Sequence, residues 1–378
     1  SMQGAATCVD NSTGNVVAIV GSRSQEDIKG YVLNRAYQSY RQPGSCIKPL
    51  NVYTPYLQLG NTPDTKVTDS QIDGGPANAD ASYAGEMTLT DAVKWSKNTV
   101  AWNIYQQITP KTGSSFLIKM GFHKIWVDKD YNAGALGGFT YGVTTEEMAG
   151  GYAALANDGV YRKATCIRLI VNASNKTVVN ETNRDSKVYD KSASRMMTQM
   201  LREVVLSGTG TSANVENAVV AGKTGTTNAS KDVWFCGYSK YYTTTVWAGY
   251  DYPKEMSGVN SRVNAIFKDF MTAVHTNLPV TDFSTVTQQT TQPETTAAVQ
   301  EETESLPQET TAIVPETTGI EQVTPQQVPS TTAQVPTTTP YQRWTTAPAQ
   351  PKTTAPMQYG DIDATTRTDP DATARGEW

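Results

Sequence analysis

The amino-acid composition of this chain changes near residue 280, and this change limits how much of the chain is able to fold. Beyond that point Thr, Pro, Gln and Glu dominate, as in TTQPETTAAVQEETESLPQETT, and 11 of the 19 prolines follow residue 280. Such a segment has too few large apolar side chains to offset the conformational entropy lost on folding. We therefore predict a folded domain over residues 3–278 and a disordered tail over residues 279–378. The tail is either a cell-surface spacer, open to glycosylation, or an inert solubilising segment.

The charge of the chain divides at the same place. Of its 36 acidic and 31 basic residues, 13 and 4 respectively follow residue 280, so the first 280 residues carry a net charge of +4. A nucleic-acid-binding protein needs Lys and Arg clustered on one face or helix, and the sequence has no such cluster. We therefore expect no nucleic-acid partner.

Neither a metal site nor a membrane span is indicated. The chain has two histidines and four cysteines without a C-x-x-C pair, so we predict neither a metal nor another cofactor. The disulfide state of the cysteines stays open: they are Cys8, Cys46, Cys166 and Cys236. No apolar run approaches the roughly 18 residues of a transmembrane helix. The chain starts abruptly at SMQG, so we expect any membrane anchor to lie upstream.

The first 280 residues have the patterns of a mixed α and β domain. Apolar periodicity and capping residues predict helices over residues 45–60, 88–95, 99–108, 144–159, 192–208 and 264–275. Strand patterns are found in TCVD and VVAIVG near the N-terminus, and in AVVAGKTGTT, DVWFCGYS and TTTVWAGYD near residue 240. Strands at both ends with helices between them predict an α+β fold with one antiparallel sheet covered by helices.

Three short motifs could carry chemistry, and two of them have decoys elsewhere in the chain. In order they are Ser45-Cys46-Ile47-Lys48, Ser96-Lys97-Asn98 and Lys223-Thr224-Gly225. S-x-x-K occurs once, whereas K-T-G recurs at 111–113 and S-x-N at 212–214. The K-T-G at 111–113 follows a proline and opens a helical run. The copy at 223–225 ends a strand, where Lys223 and Gly225 share one face and Thr224 lies on the other.

The spacing of Ser45 and Lys48 suits nucleophilic catalysis. On a helix, residues i and i+3 lie about 5–6 Å apart, so the lysine amine can reach the serine hydroxyl. The lysine has to be neutral to act as a base, and burial beside a second cation such as Lys223 lowers the pKa in that direction. The two histidines, His123 and His275, have no G-x-S-x-G partner, which makes a Ser-His-Asp triad a poor alternative.

Four segments, three of which contain these motifs, resemble the transpeptidase domain of class A (bifunctional) penicillin-binding proteins. They are NRAYQSYRQPGSCIKPL, YAGEMTLTDAVKWSKNTVAW, TTEEMAGGYAALANDGVY and VVAGKTGTTNASKDVWFCGY, and the resemblance covers residues 5–275. It implies the serine β-lactamase and penicillin-binding transpeptidase fold, with a central antiparallel sheet of about five strands. It also implies an upstream glycosyltransferase domain and membrane helix, both absent from this sequence, and a location on the extracytoplasmic face of a bacterial cell membrane.

The resemblance assigns catalytic roles to four residues. Ser45 is expected to be the acyl-accepting nucleophile and Lys48 its general base. Ser96 and Lys223 are expected to relay a proton to the leaving D-alanine nitrogen. Cys46 occupies a position that is usually small or hydroxyl-bearing in the family, and we interpret it as core filler.

The resemblance also assigns substrate contacts. Asn98 is expected to hydrogen-bond the substrate peptide, unless it only caps the following helix. Thr224, Gly225 and Thr226 are expected to bind near the terminal carboxylate, although Thr224 and Thr226 could be ordinary strand residues. The backbone N–H groups of Ser45 and Thr226 are expected to form the oxyanion hole.

Around this cleft, four further residues have structural expectations. Tyr83 and Gly85 are expected to shape the cleft, Trp234 either shapes it or belongs to the core, and Arg41 is expected to form a structural pair.

The implied activity is D,D-transpeptidation of peptidoglycan, with release of D-alanine and with acylation by β-lactam antibiotics. The implied partners are D-Ala–D-Ala stem peptides and β-lactams, and cell-wall synthesis machinery is a further candidate. Two alternatives stay open at this point. One is a hydrolase of the same chemistry, a β-lactamase or D,D-carboxypeptidase, although no segment resembles the β-lactamase omega-loop carboxylate. The other is a non-catalytic wall-binding or antibiotic-sensing domain.

Overall fold

The protein was analysed as a computed structural model that describes residues 1–23, 30–180 and 185–285. Its strands are β1 (Gln3–Asp10), β2 (Val16–Val20), β3 (Lys66–Asp69), β4 (Gly85–Thr88), β5 (Val160–Tyr161), β6 (Leu169–Val171), β7 (Thr177–Asn180), β8 (Ser186–Lys187), β9 (Ala221–Thr226), β10 (Asp232–Tyr238) and β11 (Tyr242–Gly249). Its α-helices are α1 (Arg35–Gln38), α2 (Thr54–Leu57), α3 (Leu89–Lys94), α4 (Asn98–Ile108), α5 (Pro110–Lys119), α6 (Thr145–Ala156), α7 (Lys191–Ser207) and α8 (Asn260–Val274).

The central sheet has five strands in the order β2-β1-β11-β10-β9, with every neighbouring pair antiparallel. The N-terminal hairpin therefore completes a sheet whose other three strands come from the far end of the domain. β1 pairs with β11 over its whole length, with Gln3 opposite Gly249 and Asp10 opposite Tyr242. This architecture confirms the predicted fold class.

Both faces of the sheet are covered by helices, because its strands alternate buried side chains toward each face. On one face, Trp234, Cys236 and Tyr238 of β10 join the core that includes α6 and α7. On the other face, Val233 and Phe235 join the core formed with α8. Every residue of β10 is buried, which is typical of a strand covered on both sides.

The segment that carries Ser45 differs from its prediction. Instead of one regular helix over residues 45–60, a 3₁₀ turn at Gly44–Ile47 is followed by a π-helix at Pro49–Tyr53 and then by α2. Pro49 and Pro55 lack an N–H, so neither can donate the i→i−4 hydrogen bond of a continuous α-helix. π-helical turns occur frequently at functional sites.

The hairpin of β3 and β4 was not predicted. Lys66 pairs with Thr88 and Asp69 with Gly85, and the chain between the two strands, residues 70–84, is an irregular excursion. Its Pro, Gly, Asn and Asp residues are typical of a loop and have no apolar periodicity, so no sequence pattern indicates where the excursion docks. This excursion forms one wall of the cleft described below.

The first residues of the predicted tail pack against the domain. Phe283 lies edge-on to Tyr238, with ring centroids 5.5 Å apart, and Asp282 forms an ion pair of 2.6 Å with Arg202 on α7. Packed structure thus extends past residue 278 to at least Phe283. The rest of the predicted tail, residues 286–378, lies outside the described residues. Within the described ranges, no helix combines the length and hydrophobicity required to span a bilayer.

Candidate active site

A cleft of about 1350 Å³ opens beside the nucleophile segment, and five of the predicted site residues line it: Ser45, Ser96, Asn98, Thr224 and Thr226. They come from three separate parts of the chain. Ser45 is supplied by the 3₁₀ turn, Ser96 and Asn98 by the junction of α3 and α4, and the threonines by β9. Among the hydrogen bonds of the described residues, none involves the Ser45 hydroxyl.

Lys48 lies beneath this cleft, fully buried. Its Nζ donates to the carbonyl oxygen of Ser96 at 2.9 Å and to Oδ1 of Asn98 at 2.7 Å, with a longer contact of 3.4 Å to the Lys97 carbonyl. Burial, together with the nearby charge of Lys223, lowers the pKa of Lys48 well below its ordinary value. The sequence predicted that this amine would meet the Ser45 hydroxyl, but its hydrogen bonds go to the second motif instead.

Lys223 is the second buried amine of the site. Its Nζ donates to the Ser96 hydroxyl at 2.8 Å and to the Thr224 carbonyl at 3.1 Å, and burial lowers its pKa to about 8. Ser96 therefore connects the two lysines, accepting from Lys48 through its carbonyl and from Lys223 through its hydroxyl. The structure therefore brings the two lysines together in one site, as the sequence predicted.

Strand β9 presents its residues as the alternation predicts. Lys223 and Gly225 are buried, whereas Thr224 is partly exposed and shares a 2.8 Å hydrogen bond with the Thr209 hydroxyl. A Cβ on Gly225 would lie 2.5 Å from the Pro43 carbonyl oxygen and 2.7 Å from Cys46 Sγ. Gly225 thus allows β9 to lie directly against the nucleophile segment, a role of close approach in addition to the binding role that the resemblance implies.

Asn98 begins α4 without capping it. Its Oδ1 accepts from Lys48, and its Nδ2 donates to the Ala77 carbonyl at 2.9 Å. The cap is supplied by Asn78, whose Oδ1 accepts from the N–H groups of Asn98 and Thr99 at 2.7 and 3.3 Å. The structure therefore assigns the capping role to another residue and leaves the Asn98 amide at the cleft.

With this geometry in place, the chain was compared with known proteins. Residues 4–272 match the penicillin binding protein transpeptidase domain family. The chain belongs to this family.

Curated relatives of this transpeptidase domain include penicillin-binding protein 4 of Bacillus subtilis, 34% identical over 265 residues that cover 69% of this chain and 42% of the relative. Penicillin-binding protein 1A of Aquifex aeolicus is 36% identical over 298 residues, which cover 75% of this chain and 39% of the relative. The chain thus spans about two fifths of the length of these relatives.

Solved structures agree on the fold. The crystal structure of penicillin-binding protein 1A from Haemophilus influenzae has a TM-score of 0.62 at 25% identity and covers 75% of this chain and 49% of its own. PonA1 of Mycobacterium tuberculosis in complex with penicillin V has a TM-score of 0.63 at 22% identity, with 75% and 80% covered.

The transpeptidase domain also contains contacts that the sequence did not indicate. Cys46, interpreted as core filler, is buried, and its thiol donates to the Lys223 carbonyl at 3.1 Å. The Tyr152 hydroxyl donates to the Cys46 carbonyl at 2.6 Å. Both bonds join residues more than 100 positions apart, so no local pattern could have revealed them. They attach the nucleophile segment to β9 and to α6.

The remaining sequence assignments resolve as follows. Arg41 forms an ion pair of 2.8 Å with Asp232, which confirms its structural pairing. Trp234 is buried in the core, and its indole N–H donates to the Gln42 carbonyl at 2.8 Å. This hydrogen bond fixes the backbone just before the nucleophile segment. Tyr83 and Gly85 are exposed, and of the segment Tyr83-Ala84-Gly85 only Ala84 is among the residues that line the cleft.

All four cysteines are free thiols. Among the described residues, no group of three or more His, Cys, Asp or Glu side chains could hold a metal ion.

Proposed function

We propose that this transpeptidase domain cross-links peptidoglycan through an acyl-enzyme on Ser45, with release of D-alanine. The proposal is supported most by one arrangement: two buried lysines, Lys48 and Lys223, share Ser96, which lines the same cleft as the half-buried Ser45. A serine nucleophile needs a base, and a buried amine with a lowered pKa is one. Family membership supports the same reaction.

In the first step, Ser45 Oγ attacks the carbonyl carbon of the D-Ala–D-Ala peptide bond and its proton passes to Lys48. A neutral lysine amine has two N–H groups and one lone pair. Its two N–H groups donate to the Ser96 carbonyl and to Asn98 Oδ1, the two shorter contacts, and its lone pair remains for the Ser45 proton. Backbone N–H groups of Ser45 and Thr226 stabilise the oxyanion, an effect worth roughly 10²–10³ in rate per donor.

Collapse of the tetrahedral intermediate breaks the C–N bond. Lys223 supplies a proton to the leaving nitrogen through the Ser96 hydroxyl, which lies 2.8 Å from its Nζ. D-alanine leaves and the stem peptide remains as an ester of Ser45. The amine of a neighbouring stem then attacks this ester and gives its proton to Lys223 by the same route. Lys48 returns its proton to Ser45, so the enzyme ends in its starting state.

Substrate recognition follows from the polar groups that line the cleft. The Asn98 amide hydrogen-bonds the donor peptide, and Thr224 and Thr226 bind the terminal carboxylate from β9, with Gly225 between them. A β-lactam resembles the D-Ala–D-Ala bond and acylates the same serine. In cells, we expect the domain to work at the extracytoplasmic face of the membrane, together with the cell-wall synthesis machinery.

The test is intact-protein mass spectrometry after exposure to benzylpenicillin. We expect one adduct with the mass of the whole antibiotic, because opening the lactam ring loses no atoms. The Ser45→Ala variant should form no adduct, and the control Ser39→Ala should form it as wild type does. An undiminished adduct on Ser45→Ala, or none on wild type, contradicts the proposal.

A second measurement separates this enzyme from the other members of its chemical class. Incubation with a stem peptide ending in D-Ala–D-Ala and with an acceptor amine should release D-alanine and form the cross-linked product. An adduct without D-alanine release would indicate an antibiotic sensor. An adduct that clears within seconds would indicate a hydrolase.

A further inference from the structure

Asp69, at the end of β3, has a fully buried carboxylate with four donors. Its Oδ1 accepts from Thr99 Oγ1 at 2.5 Å and from Asn78 Nδ2 at 2.6 Å. Its Oδ2 accepts from the Ala84 N–H at 2.9 Å and lies 3.3 Å from Lys97 Nζ. A buried carboxylate is costly unless it is paired and hydrogen-bonded, and this one satisfies both conditions.

The charge states of this pair are those of an ion pair. Burial by itself raises the pKa of Asp69, but the hydrogen bonds from Thr99, Asn78, Ala84 and Lys97 together lower it. Burial by itself lowers the pKa of Lys97, and its bonds to Asp80 and Asp69 outweigh this and raise it. Both groups are therefore charged at neutral pH. Lys97 is the middle residue of the S-x-N motif, and its function was not assigned by the sequence.

The same cluster attaches the excursion at residues 70–84 to the beginning of α4. Asn78 binds Asp69 through its Nδ2 and caps α4 through its Oδ1. Lys97 reaches the excursion as well, at 3.1 Å from Asp80 Oδ2 and 3.2 Å from the Ser82 carbonyl. The single carboxylate of Asp69 is the common acceptor at the centre of these contacts.

The residues on either side of Lys97 are those that meet the two catalytic lysines. Ser96 has a φ of +58°, a left-handed conformation that is strained for a non-glycine residue and persists only when its surroundings determine it. This conformation coincides with the Ser96 carbonyl facing Lys48 and its hydroxyl facing Lys223. Asn98, one residue past Lys97, accepts from Lys48 and donates to Ala77 of the excursion.

We propose that Asp69 is a positioning residue for the acyl-transfer reaction: through Lys97 and Asn78 it holds Ser96 and Asn98 against the two buried lysines. Asp69 does not itself line the cleft, so it acts through the residues that it holds in place. Because the turn sets the distance from Ser96 Oγ to Lys223 and from Asn98 to Lys48, its loss misplaces the proton relay. This inference rests on the proposed function, since it assigns the geometry on which that reaction depends.

The experiment measures the second-order rate constant for acylation by a fluorescent penicillin, together with the melting temperature of each variant. We expect Asp69→Asn to lower the rate constant roughly 10- to 100-fold, because misplacement of reacting groups by about 1 Å has effects of this size. Given enough time, the variant should still be acylated to completion, which shows that its fold and nucleophile are intact. The control is Asp73→Asn, an exposed carboxylate of the same excursion, which should react at the wild-type rate.

Two variants of Lys97 test the positioning role of Asp69 even if Asp69→Asn does not fold. Lys97→Gln removes the charge and leaves Asp69 with its other three donors, so we expect it to fold and to be acylated at least about tenfold more slowly. Lys97→Arg keeps the charge and should retain a rate within about threefold of wild type. A purely structural role would lower the melting temperatures without this rescue of the rate by arginine.

The outcomes separate the inference from the function on which it rests. If wild type is not acylated, the proposed function is wrong. If wild type is acylated and Lys97→Gln reacts at the wild-type rate, the function stands and the positioning role of Asp69 is overturned. The same conclusion follows if a folded Asp69→Asn reacts as fast as wild type.

Discussion

The tripeptide Lys-Thr-Gly occurs twice in this chain, and the two copies have different surroundings. In the copy at 223–225, on β9, the lysine is fully buried and donates to Ser96. In the copy at 111–113, in the first turns of α5, Lys111 and Thr112 are exposed. Only the copy at 223–225 belongs to the site. The three residues themselves do not distinguish a catalytic motif from the start of a helix.

The glycines of the two copies, Gly113 and Gly225, extend this comparison, because each allows two parts of the chain to approach closely. A Cβ on Gly113 would collide with the Tyr105 ring and with the Asn51 carbonyl, whereas a Cβ on Gly225 would collide with Pro43 and Cys46. The first contact joins α5 to its neighbouring helices, and the second joins β9 to the nucleophile segment. The same residue type thus serves packing in one place and the geometry of the site in the other.

The largest difference is expected between the two lysines. Lys223→Met keeps most of the side-chain volume and removes the amine that faces Ser96, so acylation by penicillin should slow by roughly 10²–10⁴-fold, the usual contribution of a positioned acid or base. Lys111→Met should leave the rate unchanged. Stopped-flow or gel-based acylation kinetics measure both variants. A similar loss in the two variants would show that neither lysine is catalytic.

A smaller difference is expected between the two glycines. Gly225→Ala should destabilise the domain by about 1–3 kcal/mol through overpacking. It should also slow acylation roughly 10- to 100-fold, because β9 is displaced from Ser45. Gly113→Ala should lower the melting temperature while its folded fraction reacts at the wild-type rate. Denaturant unfolding and acylation kinetics on the same samples check this, and a wild-type rate in Gly225→Ala would contradict the close-approach role.

The smallest effect is expected from titration of the two buried amines. The acylation rate should change about tenfold per pH unit outside its optimum. Lys48 has to be neutral to accept the Ser45 proton, so the acylation rate should rise with pH through its lowered pKa. Lys223 has to be protonated to supply the leaving nitrogen, so the rate should fall as the pH rises through about 8. The two apparent values belong to the coupled pair.

Matched variants test the assignment of the alkaline limb. Lys223→Met should abolish it, whereas Lys111→Met should keep both limbs. A pH–rate profile over the stable range of the protein measures this, and a profile without an alkaline limb in wild type would contradict the relay role of Lys223.

Much of the fold could be predicted because its signals are local. The capping box of Thr144 and Glu147 marks the start of α6, and the alternation on β9 places Lys223 and Gly225 on one face. The sequence predicted one continuous helix over residues 45–60, but the structure has a π-helix at Pro49–Tyr53, where all five residues are buried against other elements. The docking of residues 70–84 and the role of Asp69 were not predictable, because that carboxylate is bound by three polar side chains and one backbone N–H, and none of these donors follows a periodic pattern.

The sequence by itself determined the chemical type of this protein. One S-x-x-K, two histidines without a G-x-S-x-G partner and a tail poor in large apolar residues indicate a serine nucleophile with a lysine base in one folded domain before residue 280, and the resemblance of four segments adds the acyl-transfer reaction. The sequence also favoured the K-T-G at 223–225 over the copy at 111–113, but only the tertiary structure shows Lys223 meeting Ser96, 127 residues away in the chain, and decides the charge states of the two amines. Burial lowers the pKa values of both amines and the nearby charge of Lys223 lowers that of Lys48 further, and neither burial nor this proximity is a property of a short stretch of sequence.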